Sequence, residues 1–200
     1  MFLLSKTSAG QLVNLLNNET AVEFVKRVKP DSSEIAHPVI ETSTWNVGGK
    51  TIIVFYSKPF NYSYEATPSD TFVGQQVFGY AFIERKPGFY QKILIDTFNI
   101  DTKLESVFFA NADSDKDKEI CVLTSNTPPP MYCKCDGAYY STKIYDKPDS
   151  SAGRLQYMSK VSSGFVEFEG LARGDTQEKK ATFKTAQAVK KQLSRLGYKQ

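Results

Sequence analysis

Along the first thirty residues, Leu12, Leu15, Leu16, Val22, Val25 and Val28 recur at roughly helical intervals, with Asn17 and Asn18 as a break and Pro30 as a stop. The spacing predicts one interrupted helix, or two short ones, between Ser8 and Lys29. Past the loop-like stretch PDSSEIAHP, the texture changes to β-branched and aromatic runs separated by turn residues. Two hairpins are predicted there. VIETSTW and KTIIVFYS join across Asn46 to Gly49, and VFGYAFIERK and FYQKILIDTF join at Lys86-Pro87-Gly88-Phe89. Pro87 presets φ for the second turn position and Gly88 tolerates the positive φ of the third, which is type II chemistry. Between the hairpins, KPFNYSYEATPSD is polar and turn-rich and reads as a long loop exposing Tyr62 and Tyr64.

Farther on, Val107 to Ala110 and Ile120 to Leu123 are apolar strands flanking an acidic turn. The three prolines of TSNTPPPMYCKCDG cannot join a central ladder, so this stretch is a surface loop leading into the strand AYYSTKIYD. SSAGRLQ is a second loop and SGFVEFEG a short alternating strand. From Asp175 the pattern returns to helix. Phe183, Ala186, Val189, Leu193 and Leu196 share one face, with Asp175 or Thr176 as cap and Gly197 as terminator. Helix, then strands, then helix predicts an α+β fold with a largely antiparallel β-sheet core. The expected plan is a single domain with a helical N-terminal segment (1–30), a β-rich core (38–170) and an amphipathic C-terminal helix (175–197).

Composition narrows the classes. With 40% hydrophobic and 13% aromatic residues, 200 residues suffice for one packed core. A formal charge of +3 is too small to imply nucleic acid without a clustered patch, so no nucleic-acid partner is expected. No apolar run approaches the roughly 18 residues of a membrane span. The start, MFLLSK, lacks the basic and small-residue regions of a signal peptide. That fits either a cytoplasmic chain or one whose signal has been removed, and the expectation is an extracytoplasmic protein, periplasmic or secreted.

Chemistry-bearing residues are few. Cys121, Cys133 and Cys135 do not make a disulfide framework, and with the sole histidine, His37, distant in sequence they do not complete a four-ligand zinc site. A disulfide from Cys121 to either of the others and a buried free thiol at Cys121 both fit. His37 precedes Pro38 and reads as a surface histidine. No G-x-S-x-G turn, phosphate-cradling loop or dinucleotide fingerprint occurs. Nothing argues positively for an enzyme, although carboxylate pairs for glycoside chemistry depend on distances that a sequence does not contain.

The pattern richest in chemistry is the turn NADSDKDKE. Counting from Asn111, oxygen-bearing side chains fall at the first, third, fifth and ninth places: Asn111, Asp113, Asp115 and Glu119. Such alternation lets a curled loop point successive oxygens inward, as a hard cation taking six to eight oxygens requires. The twelfth place is Val122, which excludes a helical EF-hand loop. The same composition also suits a solvated turn between two buried strands, so both readings stand at this point.

The run NADSDKDKEICVL resembles the calcium loop of FG-GAP and VCBS-type repeats, D-x-D-x-D-G-x-x-[DE] followed by an apolar strand. Asn111 stands at the first Asp and Lys116 at the Gly. The resemblance implies calcium as the cofactor, in a structural role, with Asn111, Asp113, Asp115 and Glu119 as ligands. More broadly, strand, acidic loop and strand followed by the Tyr-rich AYYSTKIYD is similar to uncharacterised bacterial secreted proteins and, loosely, to periplasmic lysozyme inhibitors. The expected function is a non-enzymatic β-rich binding module for protein or glycan, with lysozyme inhibition as one form. A carbohydrate-directed hydrolase is the main alternative. A third is docking of the basic final helix, through Lys190, Lys191 and Arg195, on an acidic partner.

Overall fold

The computed structural model describes residues 12–43, 45, 49–64, 67–115, 117–127, 135–147, 153–172 and 174–200, with backbone only for 64 and 67–70. The chain forms two compact units, Met1–Ile100 with Lys147–Gln156, and Asp101–Asp146 with Tyr157–Gln200. Its sheets are antiparallel and its helices short, an α+β fold as the sequence predicts. No helix among the described residues is long and apolar enough to cross a membrane.

The first unit holds β1 (Leu12–Asn14), α1 (Ala21–Arg27), β2 (Glu34–Ile35), β3 (Ile40–Thr42), β4 (Thr51–Tyr64), β5 (Thr67–Lys86) and β6 (Phe89–Ile100). The strands run in the order β1-β6-β5-β4-β2, and β3 also pairs with β4. Alternation along β4 to β6 aims Ile52, Val54, Tyr56, Phe78, Phe82 and Tyr90 at Ala21, Phe24 and Val25 of α1. Each large apolar side chain so buried contributes about 1.5–3 kcal/mol. The Tyr56 hydroxyl, taken out of water with them, donates to the Val25 carbonyl at 2.7 Å. Both predicted hairpins form. Ile40 to Thr42 pair with Ile53 to Thr51, and Lys86 pairs with Phe89 across a turn in which Gly88 has φ +74°.

Three expectations about this unit are corrected. Leu12 to Asn14 form an edge strand on β6, not helix. The helix begins at Ala21 because Thr20 and Glu23 make a reciprocal capping box there, after Asn18 turns the chain with φ +63°. The stretch read as a loop around Tyr62 instead extends the hairpin, with Asn61 opposite Val73 and Tyr62 opposite Phe72. A two-stranded ribbon pairs the inward half of its backbone groups and leaves the outer half to water, so polar composition did not preclude strand. Tyr62 is half-buried against Phe72, ring centroids 5.8 Å apart. His37 is likewise half-buried, edge-on to Phe55 at 6.1 Å.

The second unit carries β7 (Lys103–Ala110), β8 (Glu119–Asn126), β9 (Asp136–Asp146), α2 (Ser159–Ser162), β11 (Val166–Leu171) and α3 (Ala186–Arg195), and its Tyr157 is the second residue of the two-residue β10 (Gln156–Tyr157) at the sheet edge. The order is β10-β9-β8-β7, and β11 also pairs with β9. Phe108, Ala110, Ala112, Cys121, Leu123 and Ile144 form one apolar face with Phe165, and α3 covers it with Val189 and Leu193.

The final helix is shorter than predicted. Glu167 accepts the Thr182 and Phe183 N–H groups, the latter at 2.9 Å, and Glu169 accepts the Ala181 N–H at 3.2 Å and pairs with Lys184 at 2.6 Å. Those bonds hold 181–184 outside a helix, and Thr185 supplies the cap in place of Asp175 or Thr176 by accepting the Ala188 N–H. Gly197, at φ +99°, terminates α3 as expected, while Leu196 faces solvent. Cys121 is a buried free thiol, which removes the Cys121 disulfide alternative, and Cys135 is disulfide-bonded. Cys133, the triple proline and the Asn46 turn lie outside the described residues.

Candidate metal centre

The acidic turn links β7 to β8, whose pairing runs from Lys103↔Ser125 to Ala110↔Glu119. Its curl is written in its side chains. Asn111 Oδ1 accepts the Asp113 N–H at 3.2 Å, Asp113 Oδ1 the Asp115 N–H at 2.8 Å, and Asp115 Oδ1 the Asp117 N–H at 2.8 Å. Three successive Asx turns therefore wind the loop so that alternate side chains face inward. Asn111 also donates from Nδ2 to the Asp115 carbonyl at 2.8 Å, closing the coil across its middle.

This winding brings Asp113, Asp115 and Glu119 together, with one carboxylate oxygen from each lying within 4.8 Å of the others. Donor oxygens around a hard cation, at about 2.3–2.6 Å from it, are at most about 5 Å apart, so the three fit one coordination shell. The cluster can hold a metal ion. Asn111 stands at the loop's start, 7% exposed, with its amide engaged in stitching the coil.

Glu119 is the unusual member. It is fully buried, its Oε2 accepts the Ala112 N–H, and its Oε1 has no hydrogen-bond partner among the described residues. An orphaned buried polar atom costs about 1–3 kcal/mol, more when charged. Burial is the main cause that pushes the Glu119 carboxyl up to about 7, with Asp113, Asp146 and Asp115 adding repulsion and the Ala112 N–H opposing it. A divalent cation would supply both the missing partner and the missing charge.

Two participants have no signature in the local pattern. Asp146 follows Tyr145, which pairs with Ile120, so strand register sets a fourth carboxylate near Glu119, whose titration it affects. Gln200 donates from Nε2 to the Asn111 carbonyl at 2.7 Å, tying the loop to the segment after α3. Register and tertiary approach create both, and no spacing rule along the chain could reveal them.

The remaining candidate groups add no ligand to this cluster. Burial, then the Glu119 charge, drives the Cys121 thiol far above its ordinary value, leaving it neutral and inert for as long as it stays buried. Lys191 and Arg195 are exposed on α3, while Lys190 sits 5.7 Å from the Phe108 ring. An open cleft of about 570 Å³ is lined by Asp136, Tyr140, Glu169, Leu171 and Glu178, among others. In it, the Lys184 ammonium holds the Glu169 carboxyl below its ordinary range, opposite to the shift a general acid needs. No known protein family, curated protein or solved structure gives a match to this chain.

Proposed function

We propose that the chain is a non-enzymatic β-rich interaction module, exported from the cytoplasm, whose β7–β8 turn holds a structural calcium ion. The observation that carries this reading is Glu119, a fully buried carboxylate with an unpartnered oxygen that converges with Asp113 and Asp115. Carboxylate, amide and carbonyl oxygens are hard donors, which favours calcium or magnesium over thiophilic metals. Asn111, Asp113, Asp115 and Glu119 are the protein ligands in this reading, and calcium suits a flexible loop better than magnesium with its strict octahedron. Export is supported by the disulfide at Cys135, since such bonds persist in oxidising compartments. Calcium at about millimolar levels outside cells would largely fill a site with a dissociation constant of about 10⁻⁴ M.

Calorimetric calcium titration, with melting temperature followed in parallel, tests the site on the wild type and on Asp113→Ala/Asp115→Ala. The expected result is heat and a rise in Tm in the wild type, both lost in the double variant, because a ligand selective for the folded state stabilises it. No heat and no shift would make the loop a solvated turn. The hydrolase reading attaches to the cleft at Asp136 and Glu178. Turnover of a glycan by the wild type that disappears in Asp136→Asn or Glu178→Gln would replace the non-enzymatic reading with that one.

A further inference from the structure

Building on the calcium reading of the β7–β8 turn, we infer that Gln200 is a positioning residue of the cation loop and that cation binding and docking of α3 form one coupled equilibrium. α3 is attached by little. Of its ten residues only Val189 and Leu193 are fully buried, with Ala186 in partial contact. A ten-residue helix is marginal on its own, so α3 persists through those few anchors and through the C-terminal segment beyond it.

That C-terminal segment leads to the loop. Gly197 reverses the chain at φ +99°, and the Tyr198 N–H returns to the Leu193 carbonyl at 3.1 Å. The reversal lays Tyr198 against the same apolar cluster and brings Gln200 Nε2 to the Asn111 carbonyl, 2.7 Å away. Asn111 is the residue whose side chain winds the first Asx turn. Its neighbour Ala112 serves twice. The Ala112 side chain is buried in the cluster that α3 covers, and its N–H is the donor to Glu119. The two loop residues that Gln200 and the cluster under α3 engage, Asn111 and Ala112, are therefore the ones whose hydrogen bonds help to set the spacing of the carboxylates.

Sharing this backbone couples the two events in both directions. A bound cation, by fixing Asn111 and Ala112, retains the surface and the acceptor that α3 and Gln200 need. A docked α3, by fixing the same two residues, preorganises the carboxylates for the cation. Thermodynamic reciprocity requires both effects to share one factor. Without the cation, repulsion among Asp113, Asp115 and Glu119 loosens the coil and α3 with it.

Calcium calorimetry combined with amide hydrogen exchange tests this on the full chain, wild type and Gln200→Ala, in calcium and in chelator. The peptide spanning 186–195 reports α3, and peptides from β8 and β9 report global unfolding. The expected result is that calcium slows α3 exchange at least tenfold and slows β8 and β9 by less. Gln200→Ala should bind calcium three- to tenfold more weakly and lose α3 protection by a similar factor, a change in affinity that a merely structural surface bond would not produce. Alkylation of Cys121, fully buried in the cluster under α3, gives a second readout and should slow in calcium in the wild type. Calcium heat with α3 exchange unchanged, with all peptides slowed equally, or with wild-type affinity in Gln200→Ala would overturn the coupling and leave the calcium site standing. Absence of heat in the wild type would remove the site and the coupling together.

Discussion

Two hairpin turns in this molecule reverse the chain by opposite means. At Lys86 to Phe89 the reversal is made by backbone chemistry alone, with Pro87 presetting one dihedral and Gly88 accepting φ +74°. The polar groups of Gly88 are both matched, its N–H by the nearby Glu84 side chain at 3.0 Å and its carbonyl by the distant Leu15 N–H at 2.8 Å. At Asn111 to Lys118 the reversal takes eight residues and is wound by side chains. It ends with three carboxylates converging and one buried oxygen unmatched among the described residues. The second turn gathers like charges around a buried carboxylate, and the repulsion from Asp113, Asp146 and Asp115 adds to what burial costs Glu119 in the metal-free fold. The contrast is what the proposed cation site would explain, and substitutions on either side of it test that proposal.

The largest expected effect is at Glu119. In chelator at pH 8, Glu119→Gln should raise stability by up to about 3 kcal/mol, because it removes a charge whose carboxyl is lifted from 4.5 to about 7. In calcium the same variant should be the less stable protein, having lost a ligand. Urea denaturation in the two buffers measures both, and a variant less stable than wild type in each would contradict the assignment.

The pH dependence has the same origin. A carboxyl raised in the folded state binds its proton more tightly than the unfolded chain does, so folding is favoured by protonation. Metal-free stability should therefore fall as pH rises from about 4.5 to about 7 and then level off, and Glu119→Gln should flatten that slope. Calcium should reverse the trend, because protons compete with the cation for the carboxylates. Melting curves from pH 5 to 8, with and without chelator, give the comparison.

Changing the other turn should produce a smaller effect that ignores calcium. Gly88→Ala puts a Cβ at φ +74° and should cost about 1–2 kcal/mol, equal in both buffers. A calcium-dependent cost would show that the two turns are not independent. Least of all, Asp146→Asn should weaken calcium about two- to fivefold through the lost charge near Glu119. Calorimetry of that variant separates a nearby charge from a direct ligand, whose loss would nearly abolish binding.

Which features were legible along the chain depended on the range of the forces involved. The Lys86–Phe89 hairpin was legible because Pro and Gly act on their own dihedrals. The 1, 3, 5, 9 spacing of the acidic turn was legible because an Asx turn needs only its own residue and the N–H two places on. Helix at 175–185 was a misreading, because Glu167 and Glu169 on β11 draw the N–H groups of Ala181, Thr182 and Phe183 into other bonds. The strand at Leu12 to Asn14 was hidden, because three residues carry no period of their own and depend on the edge of β6.

By itself, then, the sequence determined the α+β class, the turn chemistry and the alternating spacing of the acidic turn's oxygen-bearing residues, all read from patterns a few residues long. Tertiary structure alone decided that Glu119 is buried with an unmatched oxygen, that Asp146 stands near it, and that Gln200 reaches Asn111 from 89 residues away. Burial and strand register arise from packing among distant segments, and they turn a row of turn-forming residues into a cluster able to hold a cation.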